Sequence, residues 1–258
     1  MTELKDKHII ITGAGSGSGA ALALDLGAKG AKITLIGRSL SKLEKVAAEL
    51  AETGFKNTLC LSADVSDFEG LKSSFTTAID KHGPLDIVIA NAGAAISSPF
   101  HRTGPELWQQ MIDINLTGVF NTFNLAYLDM KKRGKGRLIA IASTAGLRGY
   151  SYVIPYSAAK HGVIGLVKSL ALEVASSDIT VNAICPGFME TPMLEESIQN
   201  IMEKTGRGRE DAEASLYKNN PQQRFIQVDE ICATVNWLCS DQARSVTGQA
   251  ISLSGGEV

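Results

Sequence analysis

The stretch His8-Ile9-Ile10-Ile11-Thr12-Gly13-Ala14-Gly15-Ser16-Gly17-Ser18-Gly19 runs from an aliphatic triplet into closely spaced glycines, and an alanine- and leucine-rich segment follows directly. Its pattern is strand, glycine turn, helix. Glycines let the backbone turn tightly and come close to a pyrophosphate, and the free N–H groups and dipole of the following helix attract anionic oxygens. A flexible linker would not be flanked on one side by a buried-strand pattern and on the other by an amphipathic helix.

Outward from this turn the pattern repeats. Strand-like apolar runs occur at Lys7–Thr12, Ala31–Gly37, Asn57–Ser62, Leu85–Ala90, Arg137–Ala142, Thr180–Cys185 and Gln249–Leu253, with helical stretches between them. Several are continuous Val/Ile/Leu/Ala runs, as expected of parallel strands covered on both faces. No linker, charge block or repeat divides the 258 residues, and 44% hydrophobic content is ample for one large core. The expected architecture is α/β: one doubly wound, Rossmann-like domain, residues 1–258, around a central parallel sheet of these seven strands.

Charge and composition narrow the classes. The net charge is -2 with basic residues scattered, which leaves no electrostatic footprint for nucleic acid or an anionic membrane. The opening MTELKDKHIII mixes both charge signs around too short an apolar run for a signal peptide, and no later segment reaches spanning length, so the expected location is cytoplasmic. Cys60, Cys185, Cys232 and Cys239 lack metal spacing and read as free thiols; the four histidines form no ligand pattern, so no metal is expected.

The run Tyr156-Ser157-Ala158-Ala159-Lys160 places a phenol and an ammonium one helical turn apart, so a helix that begins near Pro155 brings them to one face. A nearby cation and a helix N-terminus both favour the phenolate, so the Tyr156 pKa is expected to fall towards neutrality. Ser143, at the end of an apolar strand, supplies a hydroxyl. Together these groups can deliver a proton to a carbonyl or take one from an alcohol.

In this order the motifs resemble those of the short-chain dehydrogenase/reductase family, and the resemblance runs nearly end to end. Thr12–Gly19 matches the cofactor turn, with Gly13, Ser16, Gly17, Ser18 and Gly19 as its contacts; Asp64 and Val65 match the adenine contact. Ala90–Gly93, with Asn91 and Gly93, matches the fourth-strand motif. Asn115, Ser143, Tyr156 and Lys160 match the catalytic positions, and Pro186, Gly187 and Thr191 the segment lining the nicotinamide. Ala90 and Ser18 depart from the usual residues. The resemblance implies hydride transfer between a nicotinamide and a carbonyl carbon, with Tyr156 as acid/base, Ser143 stabilising the alkoxide, Lys160 also holding the ribose, and Asn115 linking Lys160 to solvent through water.

The second strand ends Ile36-Gly37-Arg38-Ser39, with no carboxylate for a ribose 2′-hydroxyl and a guanidinium suited to a 2′-phosphate. NADP is therefore favoured over the alternative NAD, with Ser39 and Lys42 as further candidates. Residues 190–225 read as a substrate lid, with Leu194, Ile198, Ile201 and Met202 at helical spacing. Ala94, Ile96, Ala145, Leu147, Tyr150, Tyr152, Phe188 and Met189 are candidates for a mostly apolar pocket. Lys204, Arg207 and Arg209 follow, as in relatives acting on 3-oxoacyl and 3-hydroxyacyl thioesters. The alternatives are a free hydrophobic or cyclic alcohol, and a non-catalytic dinucleotide sensor. Family likeness also implies a homo-oligomer, a tetramer, paired through the helices Trp108–Met130 and Tyr156–Ala175.

Overall fold

Ile9 and Ile11 are fully buried in the core on one face of a sheet, and Ile10 is fully buried in the core on the other. A strand covered on both faces has no solvent side for polar residues, which explains the unbroken aliphatic run. The computed structural model describes residues 4–258; Met1–Glu3, included in the domain and the N-terminal stretch read above, lie outside the described residues.

The strands are β1 (His8–Thr12), β2 (Lys32–Gly37), β3 (Thr58–Ser62), β4 (Ile87–Ala90), β5 (Lys135–Ile141), β6 (Asp178–Pro186) and β7 (Ala250–Leu253), in the order β3-β2-β1-β4-β5-β6-β7. Every pairing is parallel. Helices α1 (Gly17–Ala28), α2 (Leu40–Glu52) and α3 (Phe68–His82) connect the first four strands. Helices α4 (Pro105–Ile112) and α5 (Gly118–Arg133) precede β5, α6 (Ile154–Glu173) precedes β6, and α7 (Pro192–Thr205), α8 (Arg209–Tyr217) and α9 (Val228–Cys239) precede β7. The seven-stranded α/β fold expected from the sequence is the fold observed.

Strand ends differ for local reasons. Lys135 pairs with Asp178, so β5 and β6 start two residues before their apolar runs, on main-chain pairing with both side chains exposed. At β4 the Leu85 N–H donates to the Asp129 carboxylate, and the strand starts only at Ile87.

The expected helix over Trp108–Met130 is interrupted by a wider π-helical turn, Asp113–Thr117, between α4 and α5. Such turns mark places where a side chain enters the helical ladder. Here the Asn115 amide donates to the Met111 carbonyl.

Strand order reverses between β1 and β4, which leaves a crevice beyond their carboxyl ends. The two ends are stitched together. The Thr12 hydroxyl accepts from the Asn91 and Ala92 N–H groups, and the Asn91 amide donates to the Thr12 and Gly13 carbonyls.

Candidate active site

The glycine turn lies at the mouth of this crevice because no other residue type allows its path. Gly13 has φ +66°, and a side chain there would strike the Ala92 backbone at 2.7 Å. A side chain at Gly19 would run into the Gly13 carbonyl and the Asn91 amide. Ser18 donates to the Asn91 amide oxygen at 2.7 Å, so this departure from the family pattern fixes the turn to the end of β4.

The crevice is a cleft of about 420 Å³. Its floor includes Gly13, Ser16, Gly17 and Ser18; Arg38, Ser39 and Lys42 stand at the end of β2; Asp64, Val65, Asn91 and Gly93 follow along it. Ser16 and Ser39 are the N-caps of α1 and α2, and neither side chain makes a capping bond. One Asp64 oxygen accepts from the Ser66 N–H and hydroxyl. Burial raises the Asp64 pKa, but those two bonds and the nearby Arg38 charge outweigh it and hold the carboxyl below its ordinary value.

The far wall differs in part from the expectation. Thr191 lines the cleft together with Met189, Pro192 and Met193. Pro186 is buried as the last residue of β6, and Gly187 donates its N–H to Leu253; neither lines the cleft, and Gly19 serves the turn from behind. Ile114 also lines it, a residue that no motif marks.

Ser143 follows β5 and Tyr156 lies in the first turn of α6, after Pro155, as the spacing requires. The two are neighbours: the Ser143 hydroxyl accepts from the Ala145 N–H and lies close enough to the Tyr156 phenol to favour its ionised form. Gly146 allows this approach, since a side chain there would lie 2.7 Å from the Lys160 carbonyl on α6. Lys160 is buried, donates to the Ile141 carbonyl at 2.9 Å and places its ammonium 5.6 Å from the Tyr156 ring centroid.

Tyr156 and Lys160 differ electrostatically from the expectation. Burial lifts the Tyr156 pKa above the ordinary phenol value, against the opposing hydrogen bond from Ser143. Burial also lowers Lys160 to about 8. Low-dielectric surroundings disfavour both charged forms, and here this outweighs the cation and helix N-terminus expected to favour the phenolate.

Asn115 is fully buried and holds Ala94 by both backbone groups, its Oδ1 accepting at 3.1 Å and its Nδ2 donating at 2.9 Å. Asn115 thereby fixes the chain after β4 to the π-helical turn. A side chain at Gly93 would lie 3.0 Å from Asn115 Oδ1 and 3.7 Å from Lys160 Nζ, so both residues stand directly behind the cleft floor.

Beyond the cleft, Leu194 and Ile198 of α7 are buried against Ala212 of α8, with Phe188, Ile201, Met202, Leu216 and Phe225 packed around them. This cluster is separate from the two sheet cores. Arg209 is bound to Glu195 at 2.7 Å and to Glu213 at 2.6 Å, so it braces α7 against α8. Of the pocket candidates, Ile96, Leu147 and Tyr152 are exposed, whereas Tyr150 packs edge-on against Phe188 and bonds through its hydroxyl to Thr144 and Glu257.

The family model for short chain dehydrogenase matches residues 7–201. The chain is 38% identical over 253 residues to the protein assigned as ketoacyl reductase 1 of the granaticin polyketide synthase from Streptomyces violaceoruber, covering 96% of this chain and 91% of that one. It is 35% identical over 252 residues to D-beta-hydroxybutyrate dehydrogenase from Rhizobium meliloti, covering 97% and 98%. A solved structure of an actinorhodin polyketide ketoreductase variant with NADPH superimposes with a TM-score of 0.93 at 33% identity, over 100% of this chain and 99% of that one. The chain belongs to the short-chain dehydrogenase family. Its activity is that of an NAD(P)-dependent oxidoreductase on carbonyl and alcohol groups.

Proposed function

We propose that the protein interconverts a 3-oxoacyl thioester and its 3-hydroxy form with NADP(H), using Ser143, Tyr156 and Lys160. The observation that carries this reading is the grouping of Ser143 and Lys160 around Tyr156, with Lys160 directly behind the Gly93 floor of the cleft. The cleft fits a dinucleotide phosphate. Side chains are shut out at Gly13 and Gly19, and Arg38, Ser39 and Lys42 line the cleft beside the end of β2, where Gly37 stands in place of a carboxylate. Gly13, Ser16, Gly17, Ser18, Asp64, Val65, Asn91, Gly93 and Thr191 would hold the rest, and the bound nicotinamide supplies the hydride chemistry.

The chain's own residues handle the proton and the charge. In reduction Tyr156 gives its proton to the carbonyl oxygen as that oxygen becomes an alkoxide, and in oxidation it takes the proton from the alcohol. Ser143, next to the phenol, donates a hydrogen bond to the same oxygen. Lys160 keeps a cation beside the phenol, and Asn115 holds the floor against which Lys160 rests. Retention of all four groups argues against a sensor without turnover.

The 3-oxoacyl class is supported by a relative named for ketoacyl reduction, and a 3-oxo group more broadly by one named for hydroxybutyrate; we assign α7 and α8 as the substrate lid. A second reading, a free hydrophobic or cyclic ketone, is favoured by Arg209: tied to two carboxylates, it is not available to a phosphate of coenzyme A. Wild-type protein assayed for NADPH and NADH consumption with acetoacetyl coenzyme A, acetoacetate and a cyclic diketone separates these. The thioester should be reduced with the highest kcat/KM, and preference for either free ketone would overturn the thioester assignment.

Assembly and location complete the proposal. Phe120 is half exposed on α5, and with Phe123, Tyr127, Leu166 and Leu170 it lines a depression of about 280 Å³ between α5 and α6, a surface suited to a second copy in a homotetramer. The described residues contain no helix long and apolar enough to cross a membrane, and the four cysteines are free thiols, which supports the cytoplasm.

A further inference from the structure

The C-terminal residues Ser254–Val258 touch three segments around the site at once: the chain after β6, the chain after α8 and the loop after Ser143. Ser254 is buried, and its Cα lies 3.7 Å from the position a side chain on Gly187 would occupy. Gly255, at φ +63°, packs so closely on buried Asn220 beyond α8 that no side chain fits. Glu257 reaches the loop after Ser143: its Oε1 accepts from the Tyr150 hydroxyl at 2.6 Å and from the Arg148 guanidinium at 3.3 Å.

The Glu257 side chain is only 4% exposed, and a carboxylate so covered requires partners. Tyr150 has one hydroxyl proton, and it points to Glu257. The Tyr150 oxygen is therefore left to accept from Thr144, 2.7 Å away. Thr144 is buried and directly follows Ser143. The Arg148 guanidinium lies 5.3 Å from the Tyr150 ring centroid and packs on the same unit. A continuous line of bonds thus joins Glu257 to Tyr150, to Thr144, and through the backbone to Ser143, whose hydroxyl meets Tyr156.

We propose that Glu257 is a positioning residue for Ser143, acting through Tyr150 and Thr144, and that the C-terminal tail thereby ties the Ser143 loop to the base of the α7–α8 layer. The role rests on the reading of Ser143 and Tyr156 given above. Without the carboxylate, Tyr150 and Thr144 lose their common anchor, and Ser143 drifts from the place where it meets the substrate oxygen.

The test places Glu257→Ala and Tyr150→Phe singly, together, and each in a Ser143→Ala background, measuring kcat with the best ketone of the panel and NADPH affinity by fluorescence titration. Tyr150→Phe keeps the ring packing and decides the matter alone should Glu257→Ala not fold. Each single variant and their combination should lower kcat by about tenfold, the scale of a displaced catalytic group. NADPH affinity should be unchanged, and neither substitution should cost anything further once Ser143 is alanine. A merely structural role would lower kcat equally in both backgrounds, and that result, additive losses, or unchanged kcat in Tyr150→Phe would overturn the positioning role while leaving the reading of the site intact. Wild-type turnover in Ser143→Ala itself would overturn that reading and the positioning role with it.

Discussion

A phenol enclosed by protein holds its proton more tightly than one in water, and Tyr156 is in that state. On the proposed mechanism this suits reduction, in which Tyr156 must arrive protonated and release its proton only as negative charge grows on the substrate oxygen. Lys160, lowered by burial to about 8, stays mostly charged at neutral pH and still favours that release. Burial acts with a clearer outcome for stability at His8, at the opposite end of β1. Its ring is held by the Gly83 carbonyl and the Thr34 hydroxyl, with His82 5.3 Å away and Asp86 and Lys32 nearby. Burial, opposed by the Gly83 bond, lowers His8 from 6.5 to about 4. Between those values the unfolded chain binds a proton that the folded chain refuses, so the contribution is full above pH 6.5 and is lost on acidification towards pH 4. The loss amounts to about 3 kcal/mol. Urea unfolding at pH 7 and near pH 4.5 should show a large drop in midpoint for the wild type and a smaller one for His8→Gln; equal drops would contradict this account of His8.

At the scale of elements, the proposed NADP preference rests on the end of β2. Gly37 stands at the end of β2 with Arg38 beside it, and Asp64, the cleft carboxylate whose charge couples to Arg38, is engaged by Ser66. Arg38→Ala should weaken NADP by at least about tenfold, the worth of one charge-assisted hydrogen bond, while hardly changing NAD. Titrating both dinucleotides into both proteins checks it, and equal losses for the two would contradict the assignment. β1, the glycine turn and α6 were legible in the sequence because each rests on local pattern: an unbroken aliphatic run, steric need for glycine, and i,i+4 spacing. The π-helical turn was not, because it exists only where the Asn115 amide finds Ala94, 21 residues away in the chain. The pairing of Arg209 was illegible for the same reason, since Glu195 lies 14 positions before it and on another helix.

Across the whole molecule, residues far apart in sequence meet at the carboxyl ends of the strands: Ser18 with Asn91, Ser143 with Tyr156, Arg148 and Tyr150 with Glu257. The first two pairs occupy motif positions and were named from the sequence. Glu257 carries no motif and is 107 residues from Tyr150, so only the folded chain reveals it. The raised Tyr156 pKa was likewise illegible, because helical spacing shows which groups are near but not how little water surrounds them. The central claim remains that a proton moves through Tyr156 while hydride passes between NADPH and a ketone. The direct measurement is steady-state NADPH consumption with the preferred ketone by wild type and Tyr156→Phe. The account predicts that kcat falls by about two to four orders of magnitude, the scale of a lost general acid, with fold and NADPH affinity retained. A Tyr156→Phe protein that keeps most of its turnover would contradict it.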